Sequence, residues 1–265
     1  MEKVSPELYP FAPHWFETSG GRIHYVDEGD PTREPMLMLH GNPTWSFYYR
    51  DLIRAFRGSH RVIAPDHLGC GRSDKPQNWA YTLENHITNV EALVLALDLK
   101  NITLIVHDWG GAIGMGFATR HKARIKQIVV LNTAAFSGPK MPFLIRLARI
   151  PGFGPLALRG FGAFVKGALA TCAVHDERLT PEVRAGYLAP YNSWANRIAN
   201  LRFVEDIPMS PAHPTWPVLK EIDEALPRLS EIPMLIVWGA KDYVFDDWFL
   251  AEWQRRFPKA RVHRV

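Results

Sequence analysis

Long apolar runs are missing from this chain of 265 residues: none reaches the roughly 18 continuous positions that a membrane helix needs. The opening residues, MEKVSPELYPFAPHWF, lack the apolar core of a secretion signal. Cysteine is scarce too. Cys70 and Cys172 make neither a disulfide framework nor a metal-binding spacing, which suits a reducing compartment, and together these absences predict a cytoplasmic protein with no integral membrane segment. No charge of one sign dominates. The 31 Lys and Arg are spread among 27 Asp and Glu, so a net charge of +4 and a pI near 9.1 carry no footprint of nucleic-acid binding. Internal repeats and low-complexity tracts are also lacking.

One local absence stands apart. Between Gly138 and Ala173 there is no acidic residue, while Lys140, Arg146, Arg149, Arg159 and Lys166 sit among Leu, Ile and Phe. The expectation is a solvated helical face over an apolar pocket; the alternative is a surface for a membrane or a protein partner.

What is present fits an ordinary globular protein, with 47% apolar and 22% charged residues and enough chain for one α/β domain carrying an insertion. GRIHYVDE (21–28) alternates as a strand does, whereas Met36 to Leu39, Val62 to Ala64, Ile102 to Val106, IVVLN (128–132) and MLIVW (234–238) are continuous apolar runs. Helical spacing lies between them, in Trp45 to Phe56, in Thr82 to Leu97 and from about Gly110. Continuous apolar strands alternating with helices imply a parallel sheet covered on both faces, with its site at the carboxyl ends of the strands. His40-Gly41-Asn42-Pro43, Asp66, Asp108, Asn132 and Asp242 all fall at such ends. From Ala134 to about Pro217 the alternation gives way to proline-punctuated helical pieces. The expected organisation is therefore a core over residues 1–136, a helical cap over 137–217 and the rest of the core over 218–265.

TLIVHDWGGAIGMGFA (103–118) runs from strand into helix through an aspartate. A tight strand-to-helix elbow exposes one side chain at the sheet edge and demands small neighbours, which Gly110, Gly111 and Gly114 supply. The match to G-x-S-x-G is incomplete, since Val106 stands two positions before Asp108. Alone, Asp108 could equally N-cap the helix; its pairing with His40-Gly41-Asn42-Pro43 favours a nucleophile. A carboxylate is ionised at pH 7 without help and displaces a leaving group from a saturated carbon in one step, leaving an ester. Donors must then meet the departing anion. The indole and main-chain N–H of Trp109 and the amide of Asn42 are candidates, although Asn42 before Pro43 also reads as a turn residue.

These residues resemble the haloalkane dehalogenases of the α/β-hydrolase fold, through HGNPTWSFYYR, DHLGCGRSDKP, VHDWGGAIG and VWGAKD, over nearly the whole chain. Epoxide hydrolases share HDWGG but usually carry an aromatic residue where Asn42 stands. LNTAAF (131–136) and APYNSWANRIANLRFVEDIPMSP (189–211) are similar to the branch that contains the cis-β-lactone decarboxylases of bacterial long-chain olefin biosynthesis. The resemblance implies a mostly parallel sheet with an inserted cap, no cofactor and no metal. It makes Asp108 the nucleophile and Asn42 and Trp109 the anion-stabilising residues. The family's acid follows either the sixth strand, where Asn132 cannot serve, or the seventh, where Asp242 does; Asp246 and Asp247 compete weakly. Its histidine base lies in a loop after the eighth strand, which here reads as RVHRV. His263 in that strand reads as structural, and neither His40 nor His107 matches the base position. The expectation is that a longer natural protein carries the histidine loop and a last helix, and that this chain forms the Asp108 ester but hydrolyses it poorly. Three functions follow: decarboxylation of a cis-β-lactone to a long-chain olefin, dehalogenation of a haloalkane, and apolar-ligand binding without catalysis. Expected partners are a small apolar substrate and, through the basic cap, other olefin-biosynthesis enzymes or a membrane surface.

Overall fold

Alternate residues of the same strands feed two different cores, which explains why the strands read as unbroken apolar runs. The computed structural model describes residues 4–139, 141–172 and 176–265, so that Lys140 and Ala173 of the basic stretch lie outside the described residues. Its strands are β1 (His14–Thr18), β2 (Gly21–Glu28), β3 (Pro35–Leu39), β4 (Arg61–Pro65), β5 (Ile102–Asp108), β6 (Ile125–Thr133), β7 (Met234–Trp238) and β8 (Arg261–Arg264). They form one sheet in the order β1-β2-β4-β3-β5-β6-β7-β8. The pairs β1–β2 and β2–β4 are antiparallel and the others parallel. Leu37, Leu39, Ile63, Leu104 and Val106 face one core, while Met36, Met38, Val62, Ala64 and Ile105 face the other with Trp45, Phe47 and Tyr49. Parallel strands buried on both faces have no reason to alternate with polar residues.

The helices follow the sheet. They are α1 (Arg50–Phe56), α2 (Leu83–Ala96), α3 (Trp109–Arg120), α4 (Phe143–Ala148), α5 (Ala163–Thr171), α6 (Pro181–Leu188), α7 (Ile198–Glu205), α8 (Trp216–Ala225) and α9 (Asp247–Arg256). The Thr82 hydroxyl caps α2 by accepting from the Asn85 N–H at 3.3 Å. Nearly all of α3 is buried, and small residues let it sink against the sheet: a Cβ on Gly114 would lie 2.5 Å from Cγ1 of Val106. Between β6 and β7 run α4 to α8, and α8 packs Leu219 and Ile222 into the same core as α2 and α3. The boundary expected at 217/218 therefore cuts the first turn of α8. A satellite cluster of Ala148, Leu158, Leu201 and Val204 holds α4 to α7.

One reading needs correction. Trp45 to Phe56 is a 3-10 turn (Ser46–Tyr49) running into α1 rather than one helix, and the edge strand β1 carried no apolar run that would reveal it. The basic stretch is exposed at Arg146 and Lys166; Phe143, Leu144, Ile150, Phe153, Leu156 and Phe161 are exposed with them, and Arg149 folds back to donate to the Ile207 carbonyl at 2.5 Å. Among the described residues no helix is long and apolar enough to cross a membrane.

Candidate active site

β5 ends and α3 begins at Asp108, whose φ of 52° and ψ of −129° lie where a non-glycine residue is strained by about 1–3 kcal/mol. The turn survives because main chains close around it. The Thr133 hydroxyl on β6 donates to the Asp108 carbonyl. A Cβ on Gly110 would come within 2.0 Å of the Leu39 carbonyl oxygen, so only glycine lets α3 start this close to β3. The Asp108 side chain makes no N-cap bond to α3. Instead, Oδ1 accepts from the Asn42 main-chain N–H at 2.6 Å, and the Trp109 main-chain N–H lies near enough to favour the charged carboxylate.

His40 sets the loop that delivers Asn42. Its Nε2 accepts from the His67 N–H at 3.0 Å, which leaves the proton on Nδ1 to donate to the Gly41 carbonyl at 2.8 Å. Burial holds this imidazole below its usual pKa, so it is a neutral strut. Gly41 itself passes so near the carboxylate that a Cβ there would lie 2.0 Å from Oδ1 of Asp108.

Asp108, Asn42 and Trp109 line one cavity of about 150 Å³. The rest of its lining is largely apolar, with Phe136, Phe245 and Phe249 on the core side and Ile145, Phe164 and Met209 from the segments between β6 and β7. The expectation of a fully ionised nucleophile fails on this burial. Desolvation pushes the Asp108 carboxyl up to about 7, against the pull of the Trp109 and Asn42 N–H groups, and the nearby Asp242 charge adds to the rise. One N–H of the Asn42 amide donates to the Asn200 carbonyl on α7 at 3.2 Å, so only its other N–H is left for an anion in the cavity. The Trp109 ring rests against Phe203 at 5.2 Å, and its indole N–H makes no hydrogen bond among the described residues.

Asp242 sits in the loop after β7, where its Oδ1 accepts from the Val244 and Phe245 N–H groups at 2.8 and 3.0 Å. Burial raises its pKa, with these bonds and one to Asn132 acting against the rise. Asn132 latches the ends of β6 and β7: its Nδ2 donates to the Gly239 carbonyl at 3.0 Å, and the Gly239 N–H donates back to its Oδ1 at 2.7 Å. The competitors are engaged elsewhere. Asp246 caps α9 through the Trp248 N–H at 3.0 Å, and Asp247 pairs with Arg264 at 2.8 Å.

Asp66 reaches a strand end but does not join the site. It accepts from Ser46 N at 2.7 Å, Arg72 N at 2.8 Å and the buried His24 ring at 2.9 Å; burial opposes its charge, yet His24 and His40 hold its pKa well below the usual range. His107 lies flat on Tyr48, with ring centroids 4.5 Å apart, and burial takes it down to about 4. His263 is exposed on β8, opposite Val237. Sequence reasoning passed over Thr133, whose hydroxyl holds a main-chain carbonyl, and Asn200, whose own carbonyl holds Asn42; neither contact leaves a side-chain pattern to find.

The family model for the α/β hydrolase fold matches residues 34–265. The cis-3-alkyl-4-alkyloxetan-2-one decarboxylase of Shewanella oneidensis is 46% identical over 262 residues, covering 97% of this chain and 81% of that protein. Haloalkane dehalogenase 2 of Mycobacterium tuberculosis is 35% identical over 243 residues, covering 91% of this chain and 82% of that protein. Among solved structures, a point variant of a haloalkane dehalogenase from Agrobacterium tumefaciens superposes with a TM-score of 0.85 at 26% identity, over 98% of this chain and 91% of that one. The chain belongs to the α/β hydrolase fold family, on the branch that holds the haloalkane dehalogenases and the cis-β-lactone decarboxylases.

Proposed function

We propose that the protein converts a cis-β-lactone bearing two alkyl chains into an olefin and carbon dioxide, with Asp108 as the nucleophile. The observation that carries this reading is the Asp108 carboxylate, gripped through Oδ1 by the Asn42 N–H at the base of an apolar cavity. Its other oxygen attacks the alkyl carbon of the ring. The ring C–O bond breaks, its electrons stay on oxygen, and an Asp108 ester with a free β-carboxylate results. The Trp109 indole and the second Asn42 N–H receive that carboxylate as it departs. The C–C bond to the carboxylate then breaks, carbon dioxide leaves, the C=C bond forms, and the Asp108 carboxylate is expelled into its main-chain N–H groups. Atoms balance with no water and no added base. The cavity's apolar walls suit the two chains, and the similarity to a decarboxylase acting on 3,4-dialkyl oxetanones supports the substrate class.

A second reading rests on the same donors. The Trp109 indole and the second Asn42 N–H, both on residues that line the cavity with Asp108, also suit a departing halide, and the relatives include haloalkane dehalogenases. In that reaction the Asp108 ester is hydrolysed by water that a neutral imidazole deprotonates, and Asp242 would stabilise the imidazolium so formed. Supplying a cis-dialkyl β-lactone beside a bromoalkane of equal length separates the two. Alkene and carbon dioxide without bromide are expected; bromide release with an intact lactone would overturn the first reading.

The raised Asp108 pKa sets the pH profile. Only the ionised carboxylate attacks, so the single-turnover rate should climb about tenfold per pH unit below 7 and level off above about 8. Intact-mass or product measurements across pH 5.5 to 8.5 read this directly. A flat profile would show that the carboxylate is ionised throughout.

A further inference from the structure

The segment that walls the cavity has a second, outward face. Ile145 and Phe164 line the cavity, whereas Phe143, Leu144 and Phe161 of the same stretch are 60%, 63% and 65% exposed. Phe153 and Leu156 are exposed between them, and Trp194 joins at the edge, its ring 4.8 Å beneath the Arg159 guanidinium. Single exposed apolar residues are ordinary; a run of aromatic and leucine side chains along one segment is a docking patch.

The segment's own charges are all basic, and the acidic groups that face Arg149 and Arg159, Asp206 and Glu205, stand at the end of α7. Arg146, whose guanidinium lies 5.5 Å over the Phe143 ring, and Lys166 are exposed, and Arg159 bonds only the neutral Trp194 carbonyl and Gln77 amide. No acidic residue occurs from Gly138 to Cys172. Aromatic and leucine side chains edged by arginine and lysine are the composition of an interfacial surface. The patch also meets the cavity. A groove lined by Pro139, Met141, Arg146, Arg149 and Met209 shares Met141 and Met209 with the cavity lining.

We propose that this face seats on an anionic lipid bilayer, with Phe143, Phe153 and Phe161 at the acyl boundary and Arg146, Arg159 and Lys166 against the headgroups, so that an apolar substrate passes from the bilayer through the Met141–Met209 groove into the cavity. Docking stands on the patch alone; the substrate's passage rests on the reading that the cavity receives alkyl chains.

Flotation with vesicles tests it. The chain should float with phosphatidylcholine/phosphatidylglycerol vesicles about tenfold or more better than with phosphatidylcholine alone, because each basic residue at an anionic surface multiplies partitioning about fivefold. Phe143→Ser/Phe153→Ser/Phe161→Ser should lose about tenfold on the anionic vesicles, and Arg146→Glu/Lys166→Glu should lose the preference between lipids. All five positions are exposed, and circular dichroism checks that the variants fold. Asp108→Asn should float like the parent, so failure of the chemistry and failure of docking are read apart. The proposal is overturned if the parent stays with the soluble fraction on both vesicles, or if the triple serine variant floats equally well. Self-association that the triple variant disperses, without vesicle binding, would likewise overturn it and give the face to a second copy of the chain.

Discussion

Asp108→Asn is expected to abolish the covalent ester and to lower turnover by about 10⁴-fold or more, because an amide neither attacks carbon nor leaves as a carboxylate. The asparagine carbonyl can still accept the Asn42 N–H that now meets Oδ1, so the loop should hold its place. Stability should respond in the opposite direction. A carboxyl whose folded pKa is near 7 against an ordinary value of 3.8 binds its proton more tightly in the native state, so the fold loses stability as pH rises from about 4 to about 7. Above that window the ionised Asp108 weakens the fold by up to about 4 kcal/mol, the equivalent of roughly three pKa units, and Asn removes that burden. Thermal melts of both proteins should therefore diverge at pH 8, the variant melting higher, and converge at pH 4. A variant that melts lower at pH 8 would contradict the assigned burial, and one that retains turnover would remove Asp108 from the chemistry.

Gly41→Ala is expected to cost about 10²- to 10³-fold in turnover and to lower the melting temperature. Gly41 has no positive φ, so its own backbone accepts a side chain; the obstacle is Asp108, whose Oδ1 lies 2.0 Å and whose Cβ lies 2.3 Å from the new Cβ. The carboxylate can swing off the Asn42 N–H, but the Asp108 Cβ moves only with its main chain, so the elbow itself must shift. Gly110→Ala meets main chain directly, since its Cβ lies 2.0 Å from the Leu39 carbonyl oxygen, and it should lower both the melting temperature and the rate by opening the junction of α3 and β3. A Gly41→Ala protein with parental turnover would mean that the elbow tolerates a displaced carboxylate.

Much of this architecture was legible in the sequence because burial on both faces writes itself as unbroken apolar strands, and because Asp108, Trp109 and the adjoining glycines sit in one short segment. The Asn42 contact with Asp108 was legible only as a motif, since it runs through the main-chain N–H and any residue but proline offers one there. The state of the Asp108 proton was not legible at all. It depends on how much water reaches the carboxylate, and the apolar walls that exclude it come from positions as distant as Phe249 and Met209. Which apolar residues of the stretch from Phe143 to Phe161 are covered was not legible for a related reason: arginines spaced among apolar residues do not tell which of those residues the fold buries.

The lining of the cavity divides unevenly between parts of the chain that can vary and parts that cannot. A Cβ added at Gly41, Gly110 or Gly111 would lie 1.8–2.0 Å from a neighbouring main-chain or side-chain atom, so the Asp108 carboxylate and its clamp admit almost no drift. Ile145, Phe164 and Met209 line the cavity from a long excursion between two strands. Changes confined to the excursion can therefore reshape the cavity walls while the carboxylate and its main-chain donors stay as they are.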